Sequence, residues 1–351
     1  MSDVVATGAE AAAAPEPPLI VLEGLEPFVP GHGPIEARRL GDGHSNETFL
    51  VSRAGADWVL RRPPRPPVPP SAHDVAREAK TLAALAGSGA PVPRVVVSCD
   101  DPAPIGSPFY LMERVDGVTI RDRLPQAWDD PAGRRRMTEE LVDGLVAIHA
   151  VPWQETALAE SGRPAGYLER QLRRWNGQWD HNRTREIEAI EWVAGWLAAN
   201  RPQSGPATLV HGDYKLDNVL MSATEPRLLA VIDWELSTIG DPLADLGFLL
   251  ATYVEPGQEL DPVLSFSPAT AGEGGLGRAE IVDRYAAAGG REVGSIRWYE
   301  CLALWKLAIL LEGSYKRFQV GTTADPFFAL LETGVPRLAE RARAIGAGAE
   351  V

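Results

Sequence analysis

Leu209-Val-His-Gly-Asp-Tyr-Lys-Leu-Asp-Asn-Val-Leu220, followed by Ala230-Val-Ile-Asp-Trp-Glu235, is the stretch on which the fold reading turns. Two short apolar runs, Thr208–Val210 and Leu228–Asp233, each end in a burst of Asp and Asn. A hairpin of such runs would bring Asp213, Asn218 and Asp233 to one edge. Hard oxygen ligands grouped there suit Mg²⁺, which takes one or two carboxylates plus the phosphates of a substrate. A carboxylate left off the metal can orient a hydroxyl and accept its proton. Phosphoryl transfer needs that division of labour, because positioning and charge neutralisation supply most of its catalysis. Turn-capping would explain each of the three residues singly, but not the ordered set.

Outward from this stretch, the chain changes character. Before it, Ile35–Leu40, Thr48–Val51 and Asp57–Arg62 read as short strands with glycine turns, an antiparallel meander. Ser71–Ala86 reads as a helix with a capping-box pattern at Ser71 and Asp74, and Val75, Ala79, Leu82 and Ala86 share one face. Arg94–Ser98 and Phe109–Glu113 are β again. The prolines of 63–70 exclude helix and central strand and read as a stiff connector. From about residue 130 the pattern is mainly helical: 134–150, a Trp- and Arg-rich 165–200, then 242–252, 277–288, 295–318 and 325–345. The expected organisation is a tail over 1–20, a β-rich lobe over 21–115 and a helical lobe over 116–345.

HGDYKLDN resembles the H-x-D-x-x-x-x-N loop of the aminoglycoside phosphotransferase and choline-kinase group, within the protein-kinase-like fold. Ile232-Asp-Trp-Glu235 stands where protein kinases carry D-F-G, and Gly240-Asp-Pro-Leu-Ala-Asp-Leu-Gly247 continues the likeness. The chain looks most like the kinase-type domain fused to some acyl-CoA dehydrogenases, over about residues 25 to 340. The resemblance implies an α+β, bilobal protein-kinase-like fold with a small antiparallel-sheet lobe and a larger helical lobe. It implies Asp213 as catalytic base, Asn218 and Asp233 as Mg²⁺ ligands, and His211, Asp217, Asp241 and Asp245 as supporting residues. A buried, loop-bonding imidazole is the preferred reading of His211, and backbone amides or the neighbouring loop are the expected partners of Asp217. Asp241-Pro242 also reads as an N-cap with proline at the first helical position.

The same resemblance makes Gly41-Asp-Gly-His-Ser-Asn46 the loop over the nucleotide phosphates, with Gly41, Gly43, Ser45 and Asn46 in contact range. It has neither the last glycine nor the following helix of a dinucleotide-binding turn. Strand alternation puts Val59 and Arg61 on one face and Arg62 on the other. The kinase pattern selects Arg61 for the phosphates, where lysine is usual, with Glu78 as its helix partner. In the hinge, Met112 would line the base pocket, and Glu113 and Val115 would offer main-chain contacts. ATP is the expected nucleotide, with GTP as an alternative.

Acidic residues outnumber basic ones 48 to 34, a net charge of −14, which argues against a nucleic-acid or anionic-lipid surface. No apolar run reaches the about 18 residues of a membrane span. Two cysteines cannot build a disulfide framework and fit a reducing cytoplasm. Against that acidic background, Arg163, Arg170, Arg173, Arg174, His181, Arg183 and Arg185 lie interleaved with Tyr167, Trp175 and Trp179, and Lys306, Tyr315, Lys316 and Arg317 follow later. Solvated helix faces would explain each singly. As a set they point to an anionic small-molecule acceptor, such as a hydroxy acid or its CoA thioester, with Arg173, Arg174, Trp175 and Lys306 as candidate contacts. Antibiotic phosphorylation and a catalytically silent nucleotide-binding module are the competing readings. A binuclear metallophosphoesterase, suggested by Asp42-Gly-His44 and Gly212-Asp213, fails because none of the six histidines follows His211.

Overall fold

The computed structural model describes residues 21–40, 46–64, 74–289, 291–322 and 325–348. The glycine-loop residues Gly41, Gly43 and Ser45, residue Ser71, the 1–20 segment and the prolines Pro66, Pro67, Pro69 and Pro70 lie outside them.

The first lobe is a five-stranded antiparallel sheet in the order β1-β2-β3-β5-β4, built from β1 (Ile35–Arg39), β2 (Glu47–Arg53) and β3 (Ala56–Arg62), then, beyond helix α1 (Val75–Leu85), β4 (Val95–Cys99) and β5 (Phe109–Glu113). Ala54 and Gly55 turn β2 into β3 with φ of 53° and 80°, the paired positive values of a tight hairpin. The period-two alternation of β5 separates two cores. Phe109 and Leu111 pack with Phe49, Val51 and Leu60 on one face. Tyr110 and Met112 meet Val75, Ala79 and Leu82 of α1 on the other. The described helix starts after Asp74, whose carboxylate accepts the Arg77 amide at 3.0 Å, three residues later than Ser71 would put it.

Strand β6 (Val118–Thr119) opens the second lobe, followed by α2 (Pro131–His149), α3 (Tyr167–Asn182), α4 (Glu188–Ala199), β7 (Thr208–Val210), β8 (Val219–Met221), β9 (Leu228–Val231), β10 (Thr238–Gly240), α5 (Leu243–Thr252), α6 (Arg278–Gly289), α7 (Ile296–Gln319) and α8 (Leu331–Ala347). Two sequence expectations are corrected here. The 208–210 and 228–233 runs do not pair with each other: β7 pairs with β10, and β9 pairs with β8. The 165–200 pattern is two helices, because Glu312 of α7 accepts from the Thr184 hydroxyl at 2.6 Å and from Arg185 at 3.1 Å, which holds the chain out of helix between α3 and α4. The core of this lobe forms around α5, α7 and α8. Trp298 and Trp305 are buried there, with their indole N–H groups donating to the carbonyls of Leu197 and Ile190. Among the described residues no helix is long and apolar enough to cross a membrane.

Candidate active site

Strand β7 delivers His211, Gly212 and Asp213 to the seam between the lobes, and α5 fixes their backbone. Asp245 accepts from the His211 amide at 2.6 Å and the Gly212 amide at 2.8 Å, and His149 braces the same carboxylate at 3.2 Å. Burial pulls the His149 imidazole down, and the hydrogen bonds from His149 and the loop amides hold Asp245 below the usual carboxylate range despite its burial. Gly212 has φ of 90°, and a Cβ there would stand 2.7 Å from the Leu236 carbonyl oxygen. The His211 ring bridges the two halves of the site: Nε2 donates to the Ile232 carbonyl at 2.9 Å, which leaves Nδ1 to accept the Asp213 amide at 3.2 Å. The N-cap of α5 is Pro242, one position later than expected; Asp241 precedes it and accepts from the Leu243 amide at 3.1 Å, and its second oxygen accepts the Tyr299 hydroxyl at 2.7 Å.

A 3₁₀ turn, Leu216–Asn218, returns the chain toward Asp213. The Asn218 amide nitrogen donates to the Asp213 carboxylate at 2.7 Å and to its main-chain oxygen at 2.8 Å, while the Lys215 ammonium lies 3.4 Å from the same carboxylate. Among the described residues no backbone amide donates to Asp217; its Oδ1 is buried with no hydrogen-bond partner, and burial raises its pKa. Across the hairpin, the Ile232 amide donates to the Asn218 carbonyl at 2.9 Å, which sets Asp233 beside Asn218. Asp233 itself is left-handed, at φ 67° and ψ 62°, a conformation that costs a non-glycine residue about 1–2 kcal/mol.

From the first lobe, Arg61 meets Glu78 at 2.5 Å and Asp233 at 3.2 Å. Glu78 also accepts the Trp234 amide at 3.1 Å, so one carboxylate ties α1 to the Asp233 loop. Burial outweighs the attraction of Arg61 and lifts Glu78 to about 7. Glu235 is likewise lifted to about 7 by burial and the neighbouring Asp233, and it accepts from the Asn46 amide at 3.2 Å. Arg62 is on the opposite face, paired with Glu47 at 2.6 Å and set over the Phe49 ring. At the hinge, Met112 is buried, the Glu113 amide is taken by the Arg94 carbonyl at 2.9 Å, and the Val115 amide has no partner among the described residues.

The free atoms of this cluster fit a magnesium ion. Both Asn218 donor contacts go to Asp213, which leaves its Oδ1 available, and Asp233 keeps one oxygen beyond the one on Arg61. An amide oxygen and a carboxylate oxygen form a hard donor set that a cation would complete with phosphates and water.

Beside Gly212 and Leu236 opens a cleft of about 800 Å³. Its walls carry Arg174 and Trp175 from α3 and Lys306 from α7, together with Arg77 and Lys80 from α1. The Lys306 ammonium lies 5.3 Å from the Trp175 ring centre, and burial pulls it down to about 8. Arg173 belongs instead to a smaller adjoining cavity with Arg170. Arg185 and Tyr315 stack on each other and serve the α3–α4 break, and Lys316 donates to the His181 carbonyl. Arg77 and Lys80 were missed in sequence; the available signal was two basic residues flanking Glu78 on the same helix.

The chain matches the profile of the Phosphotransferase enzyme family over residues 36–299. It is 35% identical over 297 residues to acyl-CoA dehydrogenase family member 10 of Mus musculus, a match covering 84% of this chain and 27% of that one. The chain thus spans about a quarter of that relative. A Ralstonia eutropha crystal structure, provisionally named an aminoglycoside phosphotransferase, superposes with a TM-score of 0.80 at 29% identity, covering 95% of this chain and 100% of the other. Aminoglycoside phosphotransferase APH(4)-Ia, solved with AMP-PNP and hygromycin B, shares the fold at a TM-score of 0.60 and 16% identity, covering 93% and 97% of the two chains.

Proposed function

Because this chain belongs to the phosphotransferase enzyme family, we propose that it transfers the γ-phosphoryl group of ATP to a hydroxyl of a small anionic metabolite, such as a hydroxy acid or its CoA thioester. The observation that carries the reading is the meeting of Asp213, Asn218, Asp233, Arg61 and Glu78 at the mouth of a cleft walled by Arg77, Lys80, Arg174 and Lys306.

The acceptor hydroxyl comes to Asp213, whose carboxylate takes the proton as the oxygen attacks phosphorus and ADP leaves. Asn218 keeps that carboxylate oriented, and His211 and Asp245 keep its backbone in place. Arg61, held by Glu78, faces the phosphates from the first lobe, and the Val115 amide offers the adenine edge a donor. Asn218 and Asp233 would hold Mg²⁺, which when bound neutralises phosphate charge. Supporting a cytoplasmic setting, Cys99 and Cys301 are both free thiols.

The test is an ATP-dependent phosphorylation screen by ³¹P NMR over hydroxy acids, CoA thioesters and aminoglycosides, with wild-type and Asp213→Ala protein. Phosphorylation of an anionic acceptor, lost in Asp213→Ala while AMP-PNP binding survives, is the expected result. Phosphorylation confined to aminoglycosides overturns the anionic acceptor, and AMP-PNP binding with no acceptor at all favours the silent module.

A further inference from the structure

A second cavity, of about 420 Å³, lies where α5 gives way to the loop after it. It is bounded by Tyr253, Val254, Leu264, Ser265, Arg341 and Ala344. Tyr253 stands eight positions after Asp245, the residue that anchors the His211–Gly212 backbone, so the two are about 12 Å apart along the α5 axis.

Arg341 is the unusual group. Its Nε is buried without a hydrogen-bond partner, and it makes no ion pair among the described residues. Two of the carboxylates that line the cavity, Asp261 and Glu340, are committed elsewhere, while Glu259 makes no ion pair among the described residues. Asp261 pairs with Arg337 and accepts the Val263 and Leu264 amides at 2.9 and 3.0 Å. Glu340 pairs with Arg343 at 2.7 Å, and Glu300 with Arg278. Arg278 is itself pushed down to about 10, by burial first and by the charge of Arg341 as well. A guanidinium cannot shed its proton to escape such a site, and this half-buried one keeps a buried Nε–H with no acceptor, which an anionic oxygen would satisfy.

We propose that this cavity is a binding site for a small monocarboxylate with a short apolar body. The planar fork of Arg341 matches a carboxylate. Ser265 accepts the Asp261 amide at 2.9 Å through its oxygen, which leaves its hydroxyl hydrogen for the same anion. The Tyr253 hydroxyl is taken by the Leu276 carbonyl at 2.7 Å, so the ring presents carbon to the ligand beside Val254, Leu264 and Ala344. Glu259, Asp261 and Glu340 on the rim repel a dianion.

Calorimetric titration of the full chain with butyrate, benzoate and inorganic phosphate tests the site. Saturable carboxylate binding is expected in the wild type and in Asp213→Ala, at least tenfold weaker in Arg341→Gln. Leu264→Trp, which fills the cavity and keeps Arg341, abolishes it, so a folding defect in one variant does not decide the matter. Absence of binding in the wild type, equal binding by Arg341→Gln, loss in Asp213→Ala, or preference for phosphate each overturns the assignment.

Discussion

The guanidinium of Arg61 lies between two carboxylates from different lobes, 2.5 Å from Glu78 and 3.2 Å from Asp233. An arginine fork reaches both at once; an ammonium, a point charge on a flexible stem, does not reproduce that geometry. Arg61→Lys is therefore expected to raise the nucleotide KM about tenfold, or about 1.4 kcal/mol, with a smaller change in acceptor KM. Glu78→Ala leaves the cation buried with Asp233 as its remaining partner and costs about 3 kcal/mol in urea unfolding. Unchanged nucleotide KM in Arg61→Lys would remove Arg61 from the phosphate site.

The pH dependence of acceptor binding is a separate matter and rests on Lys306. Burial holds its ammonium down at about 8, below the usual lysine value of about 10.4. On the proposed acceptor assignment, the Lys306 cation is thus present below pH 8 and lost above it. Acceptor KM is expected to be flat to pH 7 and to rise above pH 8, and Lys306→Arg flattens the rise. The stability sign is the reverse: with the folded value depressed, this group's unfavourable contribution disappears as pH climbs from 8 toward 10.4. Identical KM profiles for wild type and Lys306→Arg would separate Lys306 from the acceptor.

Asp245 accepts from two consecutive amides of the catalytic loop and from His149. Asp245→Asn replaces one acceptor oxygen with a donor facing a donor, a loss of about 1.5–3 kcal/mol. A fall in kcat larger than any change in either KM is expected, because the loop that moves carries Asp213. Steady-state kinetics beside thermal unfolding separates that effect from global destabilisation.

Gly212 has no room for a methyl group, since its Cβ would approach the Leu236 carbonyl at 2.7 Å from a φ of 90°. Gly212→Ala costs about 1–2 kcal/mol from the backbone conformation alone. Displacement of the Leu236 segment, which also walls the large cleft, adds an acceptor KM effect. A variant with wild-type kinetics would show that the loop relaxes without consequence.

Much of the site was legible because its parts are close in sequence. Asp213 and Asn218 are one turn apart, and Asp233 follows on the next strand but one, so a motif could carry them. The facing of Arg61 followed from strand alternation, and five strands emerged within a few residues of their expected bounds. What stayed hidden depends on distant partners. The break between α3 and α4 is imposed by Glu312, well over a hundred residues downstream, and no local breaker marks it. The pairing of β7 with β10 is a tertiary choice between apolar runs of similar length. Arg77 and Lys80 join the cleft only because α1 packs across the seam against the Ser237 segment, where Arg77 donates to the Ser237 carbonyl and Thr81 meets the Ser237 hydroxyl at 3.3 Å.

The two-residue strand β6 pairs Val118 with Met221 and Thr119 with Leu220. It therefore welds the chain emerging from β5 to the very hairpin flanked by Asn218 and Asp233. Gly117, where a Cβ would touch Leu220 at 3.0 Å, seats that junction flat on β8. Residues 114–117 are thus the whole of the chain between β5 of the first lobe and this pairing in the second. Away from that crossing, the lobes are fastened a second time where Arg61 reaches Asp233.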